Sequence, residues 1–282
     1  MDFVKMHGLG NDFILVDCVR QPHLQAITGK RWQTMAPGLC DRRFGIGADQ
    51  MLLLLPSMAI TDVCDLQMRI FNADGSEVEM CGNGIRALAK YIWDEGLSDN
   101  DTLSIQTLAG VIRPQRTGEL ICVDMGVPNF EPDSIAVKAS GGVIDYLLEV
   151  KDRVFEINHV SMGNPHTVIL TQDVDDFPVT EYGPLIENHK LFPKRTNVEF
   201  IEVVNRGEVK VRVWERGAGE TLACGTGACA VAVITSIKGL TERSVAIHLR
   251  GGQLHIDWGA DSHVYMTGPA TKVFAGSIEV NS

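Results

Sequence analysis

The chain repeats itself at long range. An ungapped shift of 143 positions lays Met68-Arg-Ile-Phe-Asn-Ala-Asp-Gly-Ser-Glu-Val-Glu-Met-Cys-Gly-Asn-Gly84 over Val211-Arg-Val-Trp-Glu-Arg-Gly-Ala-Gly-Glu-Thr-Leu-Ala-Cys-Gly-Thr-Gly-Ala228. It pairs Arg69 with Arg212, Phe71 with Trp214, Glu77 with Glu220 and Cys81 with Cys224. Gly82 falls on Gly225, Gly84 on Gly227, Gly96 on Gly239 and Leu97 on Leu240. One offset carrying that many matches marks an internal duplication, each half contributing one Cys-Gly-x-Gly turn.

Both copies follow the same local logic. Alternating apolar residues (Met68 and Ile70; Val211 and Val213) predict a strand. Glycines then turn the chain, and an apolar, Ala-containing run suits a buried helix. Each cysteine therefore belongs at a helix N-terminus, where backbone N–H groups and the helix dipole favour a thiolate and a nearby substrate carboxylate. The glycines let main-chain donors approach closely.

A length of 282 residues suits one large domain or two ordinary ones, and the duplication selects two. The net charge of −11, with no basic stripe, argues against general nucleic-acid binding. The seven cysteines are an odd number without a Cys-x-x-Cys pair, so neither a disulfide framework nor a zinc site is expected. No apolar run approaches the roughly 18 residues of a membrane helix, and the first residues lack a basic-then-apolar signal segment. A reducing cytoplasm is the expected location.

In chain order, 3–7 and 13–16 read as strands around a Gly-rich turn. A helix is expected to end near 40–43, followed by a strand over 51–55 and a loop over 56–62. Strands are expected at 102–107, 110–114 and 120–125. Gly126-Val-Pro-Asn-Phe-Glu-Pro132 breaks the pattern and sets the domain boundary. The domains are then 1–126, joined by a C-terminal strand over 270–282, and 127–269. In the second half Val160-Ser-Met-Gly-Asn-Pro-His166 leads into a strand over 167–170, and Pro193-Lys-Arg-Thr-Asn-Val-Glu-Phe200 into another. Further strands fall at 245–249, 253–257, 264–267 and 273–280. The class is α+β, with about one prominent buried helix per half.

A buried cysteine is ordinarily a small hydrophobe, and that reading suits Cys18, Cys40, Cys64, Cys122 and Cys229. Cys81 and Cys224 differ, because both sit in glycine turns at equivalent posts of a duplication. Neither turn carries the Gly-Lys-Ser/Thr ending or the Gly-x-Gly-x-x-Gly fingerprint of a nucleotide site. Two pseudo-symmetric thiols suggest inversion of a carbon centre, with a base on one side and an acid on the other. A thiol, with an ordinary pKa of about 8.5, serves in either role near neutrality.

These residues resemble the diaminopimelate epimerase family. Met80-Cys-Gly-Asn-Gly84 and Ala223-Cys-Gly-Thr-Gly227 carry the resemblance, with Lys5-Met-His-Gly-Leu-Gly-Asn-Asp-Phe13, Gly45-Ile-Gly-Ala-Asp-Gln50, Gly163-Asn-Pro-His166 and Trp214-Glu-Arg-Gly217. Proline racemase-like relatives typically read Cys-Gly-His-Gly at the first turn, and a hydroxyproline or proline epimerase of the same two-cysteine type is the alternative. The resemblance implies a cofactor-independent enzyme interconverting LL- and meso-2,6-diaminopimelate on the route to lysine and peptidoglycan. It implies two pseudo-symmetric domains, each a curved, mostly antiparallel sheet around a central helix, and a homodimer. Cys81 and Cys224 are then the base and acid, supported by His166 and Glu215. Asn11, Gln50, Asn72, Asn164, Asn197, Glu215 and Arg216 bind the substrate, and Gly82, Asn83, Gly225 and Thr226 hold the carboxylate at the reacting carbon.

The same positions carry other readings. Asn residues often cap turns. Neutral amides with one Arg suit a zwitterion bearing two carboxylates, and Arg216 is suited to grip the distal one in a fork. Arg216 also suits a surface ion pair, Glu215 could pair with it, and His166 could be a satisfied structural histidine.

Overall fold

Each half of the chain is a sheet with a helix on either face. The computed structural model describes residues 1–57, 64, 66–131 and 144–280, so most of the loop expected over 56–62 lies outside the described residues. The first strands are β1 (Asp2–Gly8), β2 (Asn11–Asp17), β3 (Gln50–Pro56), β4 (Leu66–Asn72), β5 (Glu77–Val78), β6 (Ile105–Thr107), β7 (Gly110–Ile112), β8 (Gln115–Thr117) and β9 (Leu120–Asp124), with helices α1 (Gly29–Cys40) and α2 (Gly82–Asp94). There follow β10 (Tyr146–Val150), β11 (Arg153–Ser161), β12 (Pro165–Leu170), β13 (Asn197–Asn205), β14 (Glu208–Glu215) and β15 (Gly219–Thr221), with helices α3 (Val179–Glu187) and α4 (Gly225–Ile237). The last strands are β16 (Ser244–Leu249), β17 (Gly252–Trp258), β18 (Val264–Gly268) and β19 (Thr271–Ser277). Two units result, one of Met1–Val123 with Gly268–Ser282, the other of Asp124–Thr267.

In the first unit the strand order is β19-β1-β2-β3-β4-β6-β7, with β5 on β4. The pairs β2–β3 and β4–β6 are parallel and the others antiparallel. The second unit runs β10-β11-β12-β13-β14-β16-β17-β18, with β15 on β14. Its parallel pairs, β12–β13 and β14–β16, stand at the corresponding posts. The class is α+β, as the sequence implied.

Strand β3 explains why the middle of each sheet reads as continuously apolar. Met51 and Leu53 join the cluster built with Trp32, Ala36 and Leu39 of α1. Leu52 points to the opposite face, its tip against Gly84 of α2. A strand covered on both faces loses the alternation of a half-exposed one. Strand β13 repeats this: Val198 and Phe200 pack with Val179, Tyr182 and Ile186 of α3. Asn197 and Glu199, two residues apart, share the other face. Each fully buried aliphatic side chain contributes about 1.5–3 kcal/mol relative to exposure, and residues 227–235 of α4 are all buried.

One prominent buried helix per half is what the structure shows, and the helix expected to end near 40–43 is α1, whereas α3 is an addition to the sequence reading. Each unit has its buried helix, α2 or α4, and a second one on the outer face, α1 or α3. Among the described residues no helix is long and apolar enough to cross a membrane.

Candidate functional site

The matches at offset 143 have structural meanings. Cys81 and Cys224 are the N-cap residues of α2 and α4, in extended conformations (φ −140°, ψ 116° and φ −122°, ψ 114°). Each sulfur accepts a hydrogen bond from the N–H three residues on, Gly84 or Gly227, at 3.4 Å. Sulfur is a poorer acceptor than the oxygens that favour this post, so capping alone does not account for a cysteine here. The first N–H groups of a helix have no partner within it, and residues 82, 83, 225 and 226 occupy that turn. Both helices end alike: Gly96 (φ 64°) and Gly239 (φ 70°) turn left-handed. Leu97 N–H then reaches Ile92 C=O at 2.9 Å, and Leu240 N–H reaches Thr235 C=O at 2.9 Å, the Schellman ending that demands glycine. Arg69 grips Glu77 through two hydrogen bonds of 2.7 and 2.9 Å, and Arg212 grips Glu220 through 2.8 and 3.2 Å. These paired forks fasten β4 to β5 and β14 to β15.

In the first unit, Asn11, Gln50 and Asn72 stand at strand ends beside the α2 N-terminus. The Asn11 amide nitrogen donates to Asp49 at 3.0 Å, which turns its oxygen toward Cys81 Sγ at 3.7 Å. Asn83 donates to the same oxygen at 3.4 Å. Gln50 donates to Asn72 at 2.8 Å, and Asn72 donates to Ser76 at 2.9 Å. Gly82 and Asn83 are buried in the first helical turn. Two residues unmarked in the sequence reading hold this set. Asp49 aligns Asn11, and the fully buried Arg86 donates to the Asn83 oxygen at 2.7 Å and the Gly82 carbonyl at 3.1 Å.

In the second unit the surroundings of the cysteine are ionisable. His166, fully buried, places Nδ1 2.6 Å from Glu199 Oε1 and Nε2 2.9 Å from Asn164 Oδ1. Asn197 donates to the Pro165 carbonyl at 3.0 Å and accepts from Arg216 N–H at 2.9 Å. Glu215 accepts from the Thr221 hydroxyl at 2.5 Å and does not pair with Arg216. The exposed guanidinium of Arg216 donates to the Lys194 carbonyl at 3.2 Å. Gly225 and Thr226 lie in the first turn of α4, with the Thr226 hydroxyl 3.5 Å from Cys224 Sγ.

The electrostatics correct one expectation. Burial pushes the Cys224 thiol well above its ordinary range, and the carboxylates of Glu215 and Glu199 push it further. The Thr226 hydroxyl and Gly227 N–H pull the other way and lose. A helix dipole supplies at most about 2 kcal/mol, whereas desolvating an ion costs several. The thiolate expected of a helix N-terminus is therefore disfavoured at Cys224. Burial likewise raises the Glu215 carboxyl, against the Thr221 hydroxyl, the His166 ring and Cys224.

Glu199 escaped the sequence reading, although an acid inside the apolar run of β13 is a visible anomaly. Fully buried, it leaves Oε2 without a hydrogen-bond partner among the described residues. Ligand-type atoms of His166, Glu199 and Cys224 all lie within 4.8 Å of one another. This is the one such group able to hold a metal ion among the described residues, although its imidazole and carboxylate are already engaged with each other.

A family model for diaminopimelate epimerase matches residues 3–131 and 158–273. A diaminopimelate epimerase of Moorella thermoacetica is 50% identical over 288 aligned residues, covering 100% of both chains. Among solved structures, a PhzF-family phenazine biosynthesis protein of Bacillus anthracis superposes with a TM-score of 0.72 at 17% identity, covering 99% of each chain. A hydroxyproline epimerase of Agrobacterium vitis gives a TM-score of 0.66 at 16% identity, covering 98% of this chain and 91% of that one. Those two likenesses speak for the fold, while the full-length match at half identity decides the lineage: this chain belongs to the diaminopimelate epimerase family.

Proposed function

We propose that this protein interconverts LL- and meso-2,6-diaminopimelate, with Cys81 and Cys224 as the two proton-transfer groups, on the route to lysine and peptidoglycan. The observation that carries the reading is the matched pair of N-cap cysteines, each at the start of its own buried helix. In either direction one sulfur, as thiolate, takes the proton from the α-carbon, and the other, as thiol, delivers its own to the opposite side. Each turnover therefore exchanges the roles of the two sulfurs. The negative charge that develops on the carboxylate is met by the N–H groups of residues 82, 83, 225 and 226. The raised thiol of Cys224 suits it to the acid role at the start of a turnover.

Asn11, Gln50, Asn72, Asn164, Asn197 and Glu215 offer neutral and acidic partners to the amino and carboxylate groups. Arg216, exposed and tied among the described residues to the Lys194 carbonyl, offers its guanidinium to the distal carboxylate. His166 and Glu215 support the proton-transfer pair. The reaction runs without pyridoxal phosphate, in the cytoplasm. The active form is a homodimer, supported by the edge strand β19, where Val273 is 55% and Phe274 47% exposed.

The test is chiral analysis of LL-diaminopimelate incubated in deuterated water with purified, reduced protein and no added cofactor. Deuterium should appear first in the inverted product and not in recovered substrate. Turnover of hydroxyproline without inversion of diaminopimelate, or early label in recovered substrate, would defeat the assignment.

A further inference from the structure

The two halves place different residues at the same posts around their cysteines. In the first unit Phe13 stands opposite Gln50, and Leu52 follows on the same face of β3. In the second, His166 stands opposite Asn197, and Glu199 follows on the same face of β13. The glycine contacts confirm the equivalence. A Cβ on Gly84 would meet Leu52 Cδ2 at 3.3 Å and Phe13 Cε1 at 3.6 Å, whereas one on Gly227 would meet Glu199 Oε1 at 2.7 Å. The duplicated scaffold thus accepts an apolar pair at these posts. Its second copy instead buries an imidazole and a carboxylate completely, with the oxygen against the turn that carries Cys224.

A buried ionisable pair that the fold does not require needs another reason. The Nδ1–Oε1 separation of 2.6 Å requires a proton between the two atoms. That shared proton ties the imidazole and the carboxylate to each other beside the sulfur. Oε2 makes no other hydrogen bond among the described residues, so His166 is the partner that holds Glu199 in place. The bond also fixes the ring plane and leaves Nε2 to Asn164 at 2.9 Å.

We propose that Glu199 is a positioning residue for the proton transfer at Cys224: the proton it shares with His166 Nδ1 locks the imidazole so that Nε2 holds Asn164. The proposal rests on the reading of Cys224 as a proton-transfer group. The ionisable groups gathered here are His166, Glu199, Glu215 and Cys224. Glu199 itself does not touch the reacting carbon; it acts through the histidine. No net proton leaves the pair during a turnover.

Two substitutions test it. Glu199→Gln keeps the shape but brings no ionisable proton, and Glu199→Leu copies the first half. Glu199→Gln should lower kcat by about tenfold to a hundredfold, the scale of loss when a carboxylate that orients a metal-bound histidine is removed. The fall in kcat should exceed the rise in KM, since the loosened Asn164 is also a substrate-binding residue, and the pH profile of kcat should change shape. In 15N spectra of the imidazole, His166 Nδ1 should read as protonated in the parent protein and as unprotonated in Glu199→Leu. Unchanged kcat and pH profile in Glu199→Gln, or an unchanged Nδ1 signal in Glu199→Leu with a native melting curve, overturns the proposal. Failure of the parent protein to invert diaminopimelate sinks the functional reading itself, and the proposal with it, whatever the imidazole spectrum shows.

Discussion

Alanine at the two turn glycines provides a matched pair of perturbations. Neither Gly84 nor Gly227 has a left-handed φ, so alanine should gain about 0.4–1 kcal/mol at each from the restricted unfolded chain and better helix propensity. What the new methyl meets decides the sign. At Gly84 it approaches the tip of Leu52 at 3.3 Å and Cys81 Cβ at 3.4 Å, so neighbours give way by a few tenths of an ångström and the net change stays within about 1 kcal/mol. At Gly227 it would lie 2.7 Å from Glu199 Oε1. That oxygen must retreat, yet it is fully buried and held by His166 at 2.6 Å. Overpacking of this kind costs about 1–3 kcal/mol, leaving Gly227→Ala destabilised by about 1–2 kcal/mol after the backbone gain. In a chain of this size 1 kcal/mol moves Tm by about 2–4 °C. Scanning calorimetry under reducing conditions should therefore place Gly227→Ala several degrees below Gly84→Ala. In a Glu199→Ala background the penalty should fall to that of Gly84→Ala, because the clashing oxygen is gone and only the 3.3 Å approaches to Cys224 Cβ and Sγ remain. Equal melting temperatures, or a penalty that survives removal of Glu199, would refute the picture of a pinned carboxylate under the turn.

Three further outcomes are expected. Cys81→Ala and Cys224→Ala should each abolish inversion, while the buried Cys18, whose thiol burial pushes up to about 12, should tolerate alanine with activity intact; near-normal inversion by Cys81→Ala is the contrary result. Glu215→Gln removes a carboxylate that raises the Cys224 thiol, so iodoacetamide should alkylate Cys224 faster near neutral pH in that variant, followed by mass spectrometry in a Cys81→Ala background; slower labelling contradicts the charge argument. Burial alone would raise the Asp12 carboxyl, but hydrogen bonds from Arg42, Lys5 and the Asp49 amide hold it well below the usual range. Its folded pKa thus lies below the unfolded value of about 3.9. That stability is complete above the unfolded value and is lost as pH falls through the folded one. Arg42→Gln should move the acid-unfolding midpoint upward, by a shift worth no more than about 1 kcal/mol because Arg42 is largely exposed; an identical Tm profile between pH 3 and 7 is the outcome against it.

Legibility in the sequence followed the physical strength of each signal. The buried helices and the cap posts of Cys81 and Cys224 could be read because glycines bracket them, and an apolar run fills the space between. The hairpin of β10 and β11 could not. It turns on Lys151 at φ 57°, a left-handed residue that no glycine announces. Helix α3 was equally silent, with Pro178 at its N-cap, no side-chain cap and Pro184 inside. The helix N-terminus at Cys224 is a local feature legible in the sequence, whereas its burial and the approach of Glu199 and Glu215 depend on how the neighbouring strands pack, so its acidity was not. Asp49 and Arg86 were passed over for a similar reason: each acts by orienting another side chain, and only coordinates reveal which way an amide is turned.

The offset that exposed the duplication also hid where the halves differ. Apart from the two cysteines, the residues it matches maintain the fold: the Arg–Glu forks and the glycines that end the helices. At the same spacing Asn72 meets Glu215 and Arg86 meets Cys229, which are mismatches. The remaining correspondences need other spacings, since Asn11 and Phe13 answer to Asn164 and His166, and Gln50 and Leu52 to Asn197 and Glu199. Loops of unequal length separate them, so no single shift aligns them. Divergence is therefore concentrated around each cysteine: apolar side chains of the sheet and the buried guanidinium of α2 in the first half, an imidazole and two carboxylates in the second. A reaction that leaves from one stereoisomer and arrives at another does not need its two sides to be alike. At Cys224 the carboxylates of Glu215 and Glu199 keep the thiol protonated, and they stand where the first half has Asn72 and Leu52, so the asymmetry between the halves falls on the groups that set the state of that sulfur.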